Sequence, residues 1–303
     1  MKIIGAFLIF IISISSYSQD SRTVDSLKHE LSIASSDTAK ILLRSEIGFA
    51  GWILREGYWD SITVDCRSFL KHSKQHHATE VLVFKERLAA ALMSIAYVKS
   101  NSGYADDAIK LYQETLIIQT ELGDKDGIAT ILNNLANIYD DKGDVPKALE
   151  FYQNSMDIRE EIGDLSGVAS TLNNLAYLYT KLEEYDMAIE NFTESLEMSK
   201  ELEDDRYVSL ALNNLGYVYQ KQGDLVKSEK YHQESLALCI KSNYLKGIAM
   251  SNNMLGMVAK DNLEYNKALD FFKVSLKIYS DNNSVKGIGT TLSNMGETFI
   301  LKG

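Results

Sequence analysis

The residues that could carry chemistry in this chain are few and scattered. His72 and His76 are spaced i, i+4 near the end of a predicted helix, a spacing at which two imidazoles can bind one metal ion, and His77 follows. Spacing fixes no third ligand, since Glu80 is only a neighbour, so a solvated polar turn is the simpler interpretation. Patterns typical of phosphate loops, zinc sites or nucleophile–base pairs do not occur. The sequence therefore predicts no catalytic residue, no metal site and no cofactor.

One stretch, Leu132 to Ser155, organises the chain because it recurs. LNNLANIYDDKGDVPKALEFYQNS is followed 40 residues later by LNNLAYLYTKLEEYDMAIENFTES, and from Leu212 by LNNLGYVYQKQGDLVKSEKYHQES. A single proline, Pro146, among 303 residues favours long uninterrupted helices. A chain that repeats itself at a fixed period is built by stacking one supersecondary unit.

Each repeat contains two predicted helices, A and then B. The A helices are predicted over Thr38–Arg55, Thr79–Ser102, Asp126–Lys142, Ser166–Leu182, Arg206–Gln222, Lys246–Asn262 and Lys286–Lys302. The B helices are predicted over Tyr58–Lys74, Tyr104–Leu122, Val145–Ile162, Tyr185–Leu202, Leu225–Ser242 and Tyr265–Asp281. These helices make six complete pairs and one unpaired A helix. The predicted fold class is all-α, a right-handed α-solenoid of antiparallel helix pairs.

The apolar spacing within a repeat explains how the two helices pack. Leu132, Leu135, Ala136 and Tyr139 fall at i, i+3, i+4 and i+7, which places them on one stripe of helix A. A small residue at the i+4 position, Ala136 in this repeat, allows helix B to approach closely. The equivalent residues in other repeats are Ala96, Ala176, Gly216, Gly256 and Gly296. Helix B presents a large residue in return: Tyr152, Phe192, His232 and Phe272. The pairs Gly143-Asp144 and Gly223-Asp224 predict a left-handed turn followed by a helix N-cap.

With these positions, the chain resembles the tetratricopeptide repeat. The pattern reads L-x-x-L-[AG]-x-x-Y-x-x-x-G-x-x-x-x-A-x-x-x-[FY] and extends from about Thr38 to Gly303. The unit has 40 residues instead of about 34, helix A carries leucine where the family has an aromatic residue, and the closing proline of helix B is absent. The 40-residue variant is similar to kinesin light chains and to bacterial signalling proteins with tetratricopeptide sensor regions. The opening of the chain resembles secreted Bacteroidetes members of that second group, which are often sensor histidine kinases.

The resemblance implies that the A helices line a concave groove, and one face of each A helix lies opposite its core stripe. On this face we expect the candidate ligand contacts Asn134, Asn137, Asn174, Asn214, Asn294, Tyr97, Tyr177, Tyr217, Met250, Met254 and Met257. Asparagine offers a donor and an acceptor to a peptide backbone, tyrosine offers rigid aromatic area, and methionine offers an adaptable apolar surface. Two alternatives remain open, since the asparagines can instead bond to neighbouring A helices and the methionines can pack in the core.

The N-terminus predicts export. Lys2 precedes an apolar run from Ile3 to Ile14, and Ser16 and Ser18 supply small residues for cleavage before Gln19. The run is shorter than the ~20 residues of a spanning helix, which favours cleavage over the alternative, a retained membrane anchor. We therefore predict a signal peptide at 1–18, a leading helical segment at 19–36, and repeats at 37–303 in a periplasmic or secreted protein. The first repeat is degenerate and the last is truncated.

Composition narrows the class of partner. The formal net charge of −11 argues against binding to nucleic acid, which requires a basic face. Membrane contact is expected only through an uncleaved signal or a span beyond the sequence given. The resulting expectation is a non-catalytic scaffold that binds a protein or peptide in its groove, as the sensory part of a signalling protein. The alternatives are the N-terminal portion of a sensor histidine kinase or related transducer whose catalytic part lies beyond residue 303, and a structural spacer.

Two further expectations concern the cysteines and the last repeat. Cys66 and Cys239 belong to distant repeats, which do not touch in a solenoid, so we predict buried apolar thiols rather than a disulfide. The final A helix has no B helix after it to cover Leu292, Met295 and Phe299. We interpret this as the N-terminal part of a longer chain or an end that a partner covers.

Overall fold

The computed structural model describes residues 28–30, 41, 43–44, 58–72 and 78–303. The predicted signal peptide lies outside the described residues, as do most of the leading segment, most of the first A helix, and His76 and His77. The chain divides into two compact units, one ending at Ile138 and the other spanning Tyr139–Gly303. Each unit is taken by itself below.

The described chain consists of consecutive antiparallel helices and contains no strand. The first unit holds α1 Tyr58–Lys71, α2 Ala78–Asn101, α3 Ala105–Leu122 and most of α4 Lys125–Asp141. The second unit holds α5 Val145–Ile162, α6 Leu165–Lys181, α7 Tyr185–Glu201, α8 Asp205–Gln222, α9 Leu225–Lys241, α10 Leu245–Asp261, α11 Tyr265–Asp281 and α12 Val285–Lys302. Even-numbered helices are the predicted A helices and odd-numbered helices the predicted B helices. The all-α solenoid class of paired helices is therefore confirmed.

The predicted B helix from Tyr58 to Lys74 is shorter in the structure. It ends at Lys71 because the next amide, that of His72, donates to the carbonyl of Phe69 at 3.1 Å and closes a tight turn. The other described helices begin and end within two residues of their predicted bounds. Regular apolar spacing therefore predicted the bounds of these helices well. In the irregular first repeat, the predicted B helix extended too far toward its C-terminus.

The turns between helices use the predicted residues. Gly143 and Gly223 adopt left-handed φ values of 75° and 90° between an A helix and the following B helix. The carboxylate of Asp224 then accepts a hydrogen bond from the Lys227 amide at 3.0 Å and caps α9. Glu183 takes the same left-handed conformation with φ 63°, where only glycine avoids a steric cost. The turn is thus set by the fold, and glycine makes it cheaper in some repeats.

Close packing at the small positions of the A helices is also confirmed. A Cβ atom on Gly216 would lie 2.6 Å from the His232 ring, and one on Gly256 would lie 2.5 Å from the Phe272 ring. Gly296 in α12 has nothing within 4 Å of the same point. Each glycine followed by a B helix therefore leaves the space that the large residue of that helix fills.

The last A helix and the cysteines agree with expectation in most respects. Leu292 and Phe299 are 51% and 54% exposed, whereas Met295 packs against the cluster that contains Phe272. Cys66 and Cys239 are both buried, and burial raises the pKa of the Cys66 thiol to about 12. Among the helices described, none combines the length and the apolarity that crossing a bilayer requires.

Candidate binding face on the A helices

The A helices form the inner side of the second unit. Consecutive A helices contact one another directly, α6 with α8, α8 with α10 and α10 with α12, whereas consecutive B helices of this unit approach one another less closely. Closer spacing on one side of a stack means that the stack curves toward that side. The face that the resemblance assigned to a groove is therefore the inner face of this unit.

A buried polar seam holds neighbouring repeats together, and its centre is the asparagine that α6 and α8 carry at positions 173 and 213. Asn213 in α8 is 2% exposed and donates to the Ser235 hydroxyl of α9 at 2.8 Å and to the Ser251 hydroxyl of α10 at 2.9 Å. Asn173 in α6 similarly donates to the hydroxyl of Ser195 in α7. Apolar spacing along the sequence did not predict this seam. The signal that could have found it is the serine that recurs in successive B helices at Ser155, Ser195, Ser235 and Ser275.

The asparagines at the next position along the helix, Asn214 in α8 and Asn294 in α12, were predicted to be ligand contacts and also bond between A helices. Asn214 donates to the side-chain oxygen of Asn173 at 3.0 Å, and Asn294 donates to that of Asn253 at 3.2 Å. The stacking role that the sequence left open is therefore present for these two residues. A primary amide has two N–H donors, so each retains one donor for a ligand.

The remaining predicted asparagines are partly buried. In the first unit Asn134 is hydrogen-bonded to the hydroxyl of Tyr112, whose pKa burial raises far above its usual value. Asn137 and Asn174 are half-buried on their own helices. The asparagine positions thus lie on the edge between the seam and the inner face, and they do not form one exposed row.

Position 254 interrupts the asparagine series, and a histidine compensates. Met254 stands where an asparagine would donate to the Asn213 side-chain oxygen, and that oxygen instead receives the His232 Nδ1–H at 2.9 Å. The His232 side chain is fully buried, and burial lowers its pKa to about 3, so the ring is neutral. Among the described residues, its Nε2 has no hydrogen-bond partner. The histidine predicted as a core residue is therefore also a donor to the seam.

Aromatic side chains are exposed on the inner face. The Tyr177 and Tyr217 rings are stacked with centroids 6.2 Å apart, and Tyr177 is 49% exposed. The Lys221 ammonium lies 5.4 Å from the Tyr217 ring centroid. Tyr97, in the first unit, is 53% exposed. About half of the Tyr97 and Tyr177 side chains is therefore accessible to a ligand, and Tyr217 is half-buried.

The predicted methionines are neither buried in the core nor fully exposed. Met250, Met254 and Met257 are all half-buried along α10. Met257 occupies the position in α10 that Tyr217 occupies in α8, and Met250 lines a pocket. Met257 also packs against the buried cluster of Ala259, Ala268 and Phe272, and a ligand contact by these methionines stays a prediction.

A pocket of about 330 Å³ opens between the first turns of α8 and α10. It is lined by Arg206, Tyr207, Leu210, Tyr244, Lys246 and Met250. Of these residues, only Met250 was a predicted contact. Arg206, Tyr207, Tyr244 and Lys246 were missed because the pocket arises where two helix starts meet, and periodicity within one helix carries no signal for that.

Two cationic side chains border this pocket, and they differ in whether a carboxylate pairs with them. The Arg206 guanidinium donates to both carboxylate oxygens of Asp204, at 3.1 and 2.7 Å, and these hydrogen bonds hold the pKa of Asp204 below its usual value. Lys246 has no ion pair with any carboxylate in the described chain. The ammonium of Lys246 is therefore the cation at this pocket that remains available to a ligand.

The described residues offer few side chains that could bind a metal ion together. They contain no group of three histidine, cysteine, aspartate or glutamate side chains close enough to hold an ion. His72 is exposed at the end of α1, and its potential partner His76 lies outside the described part of the chain.

Comparison with known families assigns the repeats. A family model described as tetratricopeptide repeat matches residues 87–161, 127–201, 167–241 and 207–281, which together make up more than half of the chain. Among curated proteins no match was found.

Solved structures share the fold at low sequence identity. BtubC from P. vanneervenii is 24% identical, with a TM-score of 0.59, over 75% of this chain and 92% of that chain. A Rap protein complexed with Competence and Sporulation Factor is 13% identical, with a TM-score of 0.65, over 95% and 83%. A signal transduction ATPase with a tetratricopeptide repeat sensor from Pyrococcus horikoshii is 18% identical, with a TM-score of 0.60, over 92% and 42%. These likenesses show the fold alone.

Proposed function

Because the chain belongs to the tetratricopeptide repeat family, we propose that it is a scaffold that binds a protein or peptide on the inner face of its second unit. Members of this family generally mediate interactions between proteins and are typically not catalytic. The observation that carries the proposal is the stacked pair Tyr177 and Tyr217 beside Lys221, in which Tyr177 is 49% exposed and Tyr217 is half-buried. Packing of the repeats does not require that exposed ring area, and rigid aromatic side chains dominate binding energy at many interfaces.

An extended segment suits this face better than a compact surface does. Equivalent side chains on neighbouring packed helices are spaced by about 8–10 Å, and an extended chain advances ~3.3 Å per residue. One repeat therefore matches about three residues of an extended partner. The free amide donors of Asn214 and Asn294 can bond to carbonyl groups of that partner between its side-chain contacts.

We further infer that binding on this face is the sensory step of a signalling protein outside the cytoplasm. The leader from Lys2 to Ser18 supports export, and one neighbour in the same fold carries a tetratricopeptide repeat sensor in a signal transduction ATPase. A catalytic part that responds to binding would then belong to the same signalling system. Cell fractionation with N-terminal sequencing tests export. If the protein is exported, it should be found in the envelope or the medium and begin at Gln19.

Selection from a random 12-residue peptide library on the purified protein tests the binding role. Enriched peptides should bind at least about tenfold more weakly to the Tyr177→Ala, Tyr217→Ala variant, because two aromatic contacts are lost. Tyr104→Ala is the matched control, since Tyr104 is 62% exposed but belongs to an A-to-B turn of the first unit. Failure to enrich any peptide, or equal loss in the control, contradicts the proposal.

A further inference from the structure

Resting on that proposed function, we propose that the pocket between α8 and α10 holds one large apolar side chain of the partner, next to a partner carboxylate that pairs with Lys246. The pocket of about 330 Å³ lies at the lower limit of the ~300–1,000 Å³ found for sites of drug-sized ligands. That space suits a single side chain such as leucine or phenylalanine better than a cofactor.

The walls of the pocket favour an apolar anchor. Tyr207 and Leu210 of α8 are 43% and 37% exposed, and they face Met250 and Tyr244 across the opening. Burial of part of Tyr244 raises the pKa of its hydroxyl. An aliphatic or aromatic side chain would cover four apolar surfaces that the repeats themselves leave accessible to water.

Charge at the edge favours an acidic neighbour on the partner. Although the chain carries a net charge of −11, the two charged side chains that line the pocket are both cations, Arg206 and Lys246. Asp204 already occupies Arg206, so Lys246 is the cation without a carboxylate. The first turn of α10, where Lys246 lies, has no side-chain cap on its amide groups, and the positive end of the helix dipole also favours an anion.

Peptides that the library selection enriches are the probe for this pocket. We expect them to share one large apolar residue with aspartate or glutamate close by. Leu210→Glu should weaken binding of such a peptide at least about tenfold, because a charged group then enters the pocket. Lys246→Glu should weaken it about fivefold. The matched controls are Thr290→Glu and Lys286→Glu, which occupy the same repeat positions on α12 and should have little effect.

Changes on the peptide keep the test independent of protein folding. Replacing the apolar anchor of the peptide with alanine should weaken its binding to the wild-type protein. The loss should equal the loss that Leu210→Glu causes in binding of the unchanged peptide. Changing the peptide acid to its amide should abolish the difference between wild type and Lys246→Glu. Peptides that depend on Tyr177 and Tyr217 but are indifferent to Leu210→Glu and Lys246→Glu would overturn the pocket proposal and leave the proposed function intact. The absence of any binding peptide would overturn both.

Discussion

Replacing His232 with phenylalanine should make the seam dependent on position 254. In the wild-type protein the Asn213 oxygen accepts from His232 at 2.9 Å, whereas the matching oxygen of Asn173 accepts from Asn214. Met254 has no N–H to offer. His232→Phe therefore removes the donor, and Met254→Asn should restore it from the neighbouring A helix in the way that other repeats do.

The size of the effect follows from burial. Asn213 is 2% exposed and His232 fully buried, so an orphaned oxygen costs ~1–3 kcal/mol. The single change His232→Phe also removes the unpartnered Nε2, whose burial costs a similar amount, so its own effect on stability is small. Met254→Asn alone loses apolar burial of about 1 kcal/mol. In the double variant the new hydrogen bond offsets this loss, which predicts a favourable coupling energy of ~1–3 kcal/mol.

The assay is urea unfolding of the wild type, both single variants and the double variant, followed by circular dichroism. Met257→Asn replaces Met254→Asn in a control cycle, because Met257 is half-buried like Met254 but packs against the cluster that contains Phe272. The control coupling should be close to zero. A coupling below about 0.5 kcal/mol in the main cycle would show that the Asn213 oxygen is not supplied from position 254, and the structural reasoning would be wrong.

Two other predictions concern pH and packing. Between pH 6.5 and 4.5 the unfolding free energy of wild type should fall by about 2.3 kcal/mol more than that of His232→Phe, as measured by parallel unfolding series, because the difference in slope rises from half to nearly all of about 1.4 kcal/mol per pH unit. The folded pKa of about 3 lies below that of the unfolded chain, so only the unfolded state binds the proton as pH falls; equal slopes would contradict neutral burial. Gly256→Ala should lower stability by ~1–3 kcal/mol through contact with the Phe272 ring, whereas Gly296→Ala, which meets no atom, should raise it by up to about 1 kcal/mol. Thermal unfolding of the two alanine variants distinguishes these cases, and similar shifts in both would refute the packing argument.

Spacing along the sequence was enough to predict the helices and their shared core. Leu132, Leu135 and Ala136 are all buried, and the same spacing recurs in several repeats, so one accidental apolar residue could not mislead the assignment. The small position paired with a large residue of helix B was predictable for the same reason, because both partners lie within one repeat. The first repeat was predicted less well since its spacing departs from the others.

Contacts between repeats were not predictable in this way. Asn213 and Asn214 are adjacent and about 100° apart on the helix, yet one is buried in the seam and the other lies at its edge. Which amide is buried depends on how closely the next repeat approaches, and one repeat contains no measure of that distance. The role of His232 depends on Met254, which belongs to another repeat. The pocket at Leu210 likewise exists only where two helix starts meet.

Photo-crosslinking would locate the partner on the molecule. A library-selected peptide that carries a benzophenone in place of its apolar anchor is bound to the protein, irradiated, and the attachment site is identified by mass spectrometry. Recognition by the inner face predicts crosslinks on α6, α8 and α10, with attachment to Met250 or Leu210 where the anchor enters the pocket. Crosslinks confined to the B helices α7, α9 and α11 would contradict recognition by this face.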